Sequence, residues 1–179
     1  DILSFETQFD IIKESSCKTF DRSLLRAELD SLASKLDFLE GQVGVDNAEV
    51  FRLKRYYSLL EIRDYLLIKR MNAECSFNTV FILYFYSTQD CPTCQTQEYI
   101  LRAIGDKYPE IEIYSFDYDI DLPALKTLTS LHNIPTTPPV IHIQDKAYGG
   151  FESLESFEAV LQPILAQAST TATTTKLKK

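Results

Sequence analysis

The chain has 179 residues, 45% of them hydrophobic, which is enough to bury a core and excludes a globally disordered protein. Its formal charge of -8 and pI near 4.8 exclude a nucleic-acid surface, which needs clustered Lys and Arg to displace counterions from phosphate. No run reaches the roughly 18 to 20 consecutive apolar residues of a membrane helix, and the opening DILSFETQFDI has neither the basic nor the apolar region of a signal peptide.

The chain starts at Asp1, and its single methionine is Met71. A leading segment removed by processing, such as a signal or a membrane anchor, fits this start. Residues 1–76 read as a helical region. Leu25, Leu29, Leu32, Leu36 and Leu39 recur at alternating steps of four and three, as do Val50, Leu53, Tyr57, Leu60, Asp64, Leu67 and Met71. Each row forms one apolar seam, interrupted only at Asp64. Between the rows, EGQVGVDN supplies glycines for a helix stop, then Asp46 with Glu49 three residues on as a capping box. An antiparallel helical hairpin turning near Gly44 follows, with a shorter helix before it and a break near Thr19 to Asp21. Cys17 then lies about as far before the turn as Cys75 lies after it, so either a stapling disulfide or two ordinary buried thiols is compatible with the spacing.

From Asn78 the pattern changes. TVFILYFYS is a β-branched and aromatic run that suits a strand covered on both faces. A helix is expected from about Pro92 to Lys107, a strand over IEIYSFDYD, and a second helix over DLPALKTLTSLH with Asp121 as its N-cap and Pro123 in its first turn. PPVIHI and AYGGF read as two further strands joined by a turn, and Ser153 caps a last helix ending near Leu165. Alternating strands and helices followed by a hairpin specify an α/β domain over residues 77–167, with a mixed four-stranded sheet and helices on both faces. The threonine-rich stretch 168–179 is expected to be a disordered tail.

The chemistry-bearing segment is DCPTCQTQ, with Cys91 and Cys94 either side of Pro92 and Thr93. A cysteine just before a helix places its sulfur near unsatisfied N–H groups and the positive end of the dipole, which favours the thiolate. Cys94, one turn on, is placed to resolve a mixed disulfide formed at Cys91. Pro92 suits the first turn, where its missing N–H costs nothing. Structural zinc needs four ligands, whereas this motif has two and the chain's only histidines are His132 and His142, so no metal is assigned. A purely structural disulfide is disfavoured because so short a loop constrains the unfolded chain little.

With these motifs in this order, the segment from about Asn78 to Leu165 resembles the thioredoxin-fold superfamily, especially its small membrane-associated and secreted thioredoxin-like members. NIPTTPPVIHI matches the family's cis-proline segment before the third core strand, and YGGFESLESFEAVL its closing strand, glycine bulge and final helix. The resemblance implies a three-layer α/β/α sandwich and thiol–disulfide exchange with cysteine-containing proteins and a redox partner protein, without a bound cofactor. It places the cis bond at Pro138, with Pro135 and Pro139 as competitors, and assigns Thr137 and Pro138, with Pro92 and Thr93, to substrate docking.

Three departures stand out. The usual tryptophan-cysteine-glycine-proline-cysteine centre is replaced by Asp90-Cys91-Pro92-Thr93-Cys94, and the helical hairpin has no counterpart in the minimal fold. The family's buried acid falls at Phe85, leaving water, Asp117 or Asp119 to deprotonate Cys94. An even count of four cysteines points to an oxidising, extracytoplasmic compartment. The reading of a different class is a redox-inactive module that binds a partner protein through the hairpin, using Phe51, Tyr56, Tyr57 and Tyr65.

Overall fold

The structure is a computed structural model and describes residues 2–176. It divides into two compact units, one ending at Cys75 and the other starting at Ser76.

The first unit holds α1 (Ile2–Lys13), α2 (Ser23–Val43) and α3 (Ala48–Cys75). Helix α2 stops where Gly44 takes a φ of 83° and gives its N–H to the Glu40 carbonyl at 2.9 Å. The start of α3 is held by Asn47, whose side-chain oxygen accepts from the Glu49 N–H at 2.8 Å. The cap is therefore Asn47 and not Asp46, which moves Glu49 one position too early for a capping box.

Two ion pairs define the antiparallel register. Lys54 near the start of α3 meets Glu40 near the end of α2 at 2.8 Å, and Arg22, just before α2, meets Asp64 at 3.0 Å. Asp64, the polar interruption of the seam, thus has an identified partner. Leu25, Leu29 and Leu36 of α2 are buried with Val50, Leu60, Leu67 and Met71 of α3. Leu32, Leu39, Leu53 and Tyr57 are only half-buried, whereas Ile62, Tyr65 and Ile68 are buried outside the expected row, so α3 hides more than one stripe.

The second unit runs β1 (Val80–Tyr86), α4 (Cys94–Lys107), β2 (Ile111–Asp117), α5 (Pro123–Leu131), β3 (Val140–Ile143), β4 (Lys146–Gly149) and α6 (Leu154–Lys176). The sheet order is β2-β1-β3-β4, with β1 and β2 parallel and the other two neighbouring pairs antiparallel. Ile82 and Tyr84 of β1 join Ile141 and Ile143 of β3, Leu101 and Ile104 of α4, and Phe157, Leu161 and Leu165 of α6 in one cluster. On the opposite face Phe85 meets the rings of Phe116 and Tyr118 at 5.6 and 5.9 Å, and His142 of β3 meets His132, which follows α5, at 4.5 Å. Helices α4 and α6 therefore cover one face and α5 the other. This is a thioredoxin-like three-layer α/β/α sandwich.

Three local expectations are corrected. Helix α4 begins at Cys94, with Pro92 and Thr93 in the turn that leads into it. Leu122, not Asp121, is the N-cap of α5, and Asp121 instead receives the Lys126 ammonium. Helix α6 continues to Lys176, across most of the stretch expected to be disordered. After Pro163 that stretch contains neither Gly nor Pro, and threonine lowers helix propensity without breaking the ladder. Residues 177–179 lie outside the described residues.

Candidate functional site: a cysteine pair at the C-terminal edge of the parallel strands

Strand β1 is central because every residue of VFILYFY is buried or half-buried, and its chain direction sets where the next loop emerges. That loop, residues 87–93, leaves the edge where β2 also ends, since Tyr86 pairs with Asp117. Strand β3 runs the other way, and its first residue, Val140, pairs with Phe85. The register therefore brings the cysteine loop and residues 137–139 to the same end of neighbouring strands. The turn after β4 joins them, because Val140 pairs with Gly149 and Gly150 donates its N–H to the Pro139 carbonyl at 2.9 Å.

Asp119 anchors the cysteine loop. Its carboxylate accepts from the Thr88 N–H at 2.8 Å and from the Ser87 hydroxyl at 2.9 and 3.0 Å. The Ser87 oxygen in turn accepts the N–H groups of Gln89 and Asp90 at 3.1 and 3.2 Å. Asp117, buried at the end of β2, accepts the Asp119 N–H at 2.9 Å and so orients the anchor. Asp119, a sequence candidate for deprotonating Cys94, is thus committed to holding the loop.

Cys91 and Cys94 are joined in a disulfide with a Cα separation of 5.4 Å. Cys91 is half-buried, whereas Cys94 is 5% exposed. The Cys91 carbonyl accepts the Cys94 N–H at 3.2 Å, closing the turn into α4. Thr93, the N-cap, makes no side-chain capping bond, and Cys94 is the first residue of α4, at the positive end of the helix dipole. The buried phenol of Tyr84 donates to the Cys94 carbonyl at 2.8 Å. Burial, reinforced by the Glu98 charge, pushes that phenol's pKa up, which keeps it a donor. Phe85, where the family's acid falls, is fully buried among aromatic rings.

The cis bond is the bond from Pro138 to Pro139, so the cis residue is Pro139 and not Pro138. Pro139 is the proline directly before β3, and it is buried, while Pro138 is half-buried and Thr137 exposed. Sequence reasoning also missed Gln97, which is 0% exposed and accepts the Glu152 N–H through Oε1 at 2.8 Å. The available signal was its place three residues after Cys94, on the helix face that turns inward.

In the other unit Cys17 and Cys75 are bonded to each other, with a Cα separation of 5.4 Å, and neither is buried. The alternative of two ordinary buried thiols is thereby set aside. Of the four hairpin aromatics, Tyr65 is buried, Tyr56 and Tyr57 are half-buried, and Phe51 is 41% exposed beneath the Arg55 guanidinium.

No family model matches this sequence, and no curated protein matches it. Solved structures that resemble the chain include the following two. One, described as the structure of a malarial protein, is 20% identical with a TM-score of 0.41, covering 49% of this chain and 98% of its own. The other, the germline-specific thioredoxin Deadhead of Drosophila melanogaster, is 22% identical with a TM-score of 0.37, covering 59% of this chain and 92% of its own. The fold assignment rests on the strand order and layers described above.

Proposed function

We propose that this protein is a thiol–disulfide oxidoreductase that exchanges disulfides with cysteine-containing proteins through Cys91 and Cys94. The observation that carries the reading is the Cys91–Cys94 bond at the start of α4, which has no side-chain cap, with Cys91 half-buried and Cys94 buried. In the oxidising direction a partner thiolate attacks Cys91 Sγ. The bond to Cys94 breaks, and Cys94 leaves with the electron pair as a thiolate. A second partner thiolate then attacks the partner sulfur of the mixed disulfide and releases Cys91, so two electrons pass from partner to enzyme. The reverse sequence reduces a partner disulfide, with Cys91 as nucleophile and Cys94 as the resolving thiol.

Thr137 and Pro138 are assigned to the docking of the partner segment, with Pro92 and Thr93 flanking it, because the strand register brings both segments to one edge. Proline at 138 has no N–H, so it presents only its carbonyl to a docked strand. An extracytoplasmic location, with or without a membrane anchor, agrees with two disulfides in one chain. No helix among the described residues is long and apolar enough to cross a membrane.

The test is a glutathione redox series read by alkylation and peptide mass. Cys91 and Cys94 are expected to titrate together at a potential within about -270 to -120 mV. In addition, Cys94→Ser should trap a mixed disulfide at Cys91. A pair that never exchanges would overturn the reading.

A further inference from the structure

Gln97 has a side-chain donor with no visible use. The residue is 0% exposed, and its Nε2 is buried without a hydrogen-bond partner. The amide orientation is fixed, because Oε1 must face the Glu152 N–H that it accepts at 2.8 Å. The leftover group is therefore an N–H₂ in a site closed to solvent, where an unmade hydrogen bond carries an uncompensated desolvation cost.

Its place on α4 supplies the missing acceptor. Cys94 and Gln97 are three residues apart on one helix, both are buried, and side chains at that spacing are neighbours that lean toward the N-terminus. In the oxidised centre Cys94 Sγ is bonded to Cys91 and carries no charge. Reduction frees a thiolate in the same place. No acid occupies position 85, and Asp119 is committed to the loop.

We infer that Gln97 Nε2 donates a hydrogen bond to the Cys94 thiolate, stabilising it as a leaving group when the Cys91–Cys94 bond is opened. The inference rests on the oxidoreductase reading above. With glutathione, a thiolate attacks Cys91 Sγ, the Sγ–Sγ bond breaks, and the electron pair settles on Cys94 Sγ facing the amide. A second glutathione thiolate then attacks the sulfur of the first, releasing oxidised glutathione and the Cys91 thiolate. The same side chain holds the backbone of Glu152, so the turn after β4 is tied to the residue that answers the redox state of Cys94.

The experiment measures the equilibrium between the pair and glutathione across roughly pH 5 to 10 for the native protein and Gln97→Met, which keeps chain length and loses the donor. Where Cys94 is ionised, the variant should favour the disulfide about tenfold more, which is about 30 mV toward the reducing side. In the Cys91→Ser background the Cys94 pKa should rise by about one unit with the same substitution. Where Cys94 is a neutral thiol the difference should vanish, whereas a merely structural change would shift the equilibrium at every pH. Equal curves throughout, or a shift independent of pH, would overturn the inference.

A second readout needs no substitution. In the native protein reduced with a dithiol, the Gln97 side-chain amide resonances should move with the Cys94 titration; resonances indifferent to reduction and pH would also overturn it. If the native pair does not exchange with glutathione, the functional reading falls. The amide resonances of the chemically reduced protein still decide the role of Gln97.

Discussion

The two disulfides have the same Cα separation of 5.4 Å, yet one closes a sequence separation of 58 and the other of three. In the chain-entropy account the first restricts the unfolded chain by on the order of 4 kcal/mol, and the second by less than half of that. The Cys17–Cys75 bond ties the segment before α2 to the end of α3, at the open end of a hairpin whose register two ion pairs already hold. It is a staple. The Cys91–Cys94 bond contributes less by closure and sits where a helix dipole favours the thiolate that its opening releases. Position in the fold, and not bond geometry, separates the long closure from the proposed exchange centre.

The sharpest way to break that contrast is to remove one bond and read both properties. Cys91→Ser should abolish exchange in a dithiol-coupled reduction assay and cost less than half the stability that loss of the long closure costs. The Cys17→Ser/Cys75→Ser double variant should do the reverse. Its expected cost is on the order of 4 kcal/mol in denaturant unfolding of the helical unit, with the exchange rate intact. Loss of exchange in the double variant would mean that the staple has a redox role.

Much of this arrangement is legible in the sequence, for local physical reasons. The β1 run has a continuous apolar pattern that suits a strand covered on both faces, and CxxC before a helix marks the candidate site. The illegible parts depend on distant residues. Three prolines crowd the approach to β3, and only pairing of Val140 with Phe85 fixes which of them abuts the strand. Asn47 and Leu122 displaced the expected caps by one residue, a shift that local preference alone does not resolve. The breadth of burial on α3 and the role of Gln97 follow from tertiary packing, to which a helical repeat is blind.

A smaller effect is expected at Asp119. The cysteine loop closes too few residues to hold itself, so its order is supplied from β2 through the Asp119 carboxylate. Asp119→Ala removes the acceptor for the Ser87 hydroxyl and the Thr88 N–H. The expected cost is about 1–3 kcal/mol, together with faster amide exchange over residues 87–90 in hydrogen-exchange measurements. Unchanged protection there would show that the disulfide orders its own loop.

The smallest effect concerns the segment that the long staple closes. Asp21 accepts the Ser23 N–H at 2.8 Å, standing in for the side-chain cap that Arg22 does not make. That backbone bond, with a further one from the Ser23 side chain, holds the Asp21 pKa below its ordinary value. The sign follows from the depressed folded pKa: the carboxylate stabilises the start of α2 above the ordinary carboxylate range, and the contribution is lost as pH falls through the folded pKa. Acidification should therefore speed amide exchange at residues 23–25, and Asp21→Asn should remove that pH response. Because the Cys17–Cys75 bond tethers the segment whatever the charge on Asp21, the response should be larger in the double serine variant than in the native protein. An equal response in both would mean that the staple does not restrain the entry to α2.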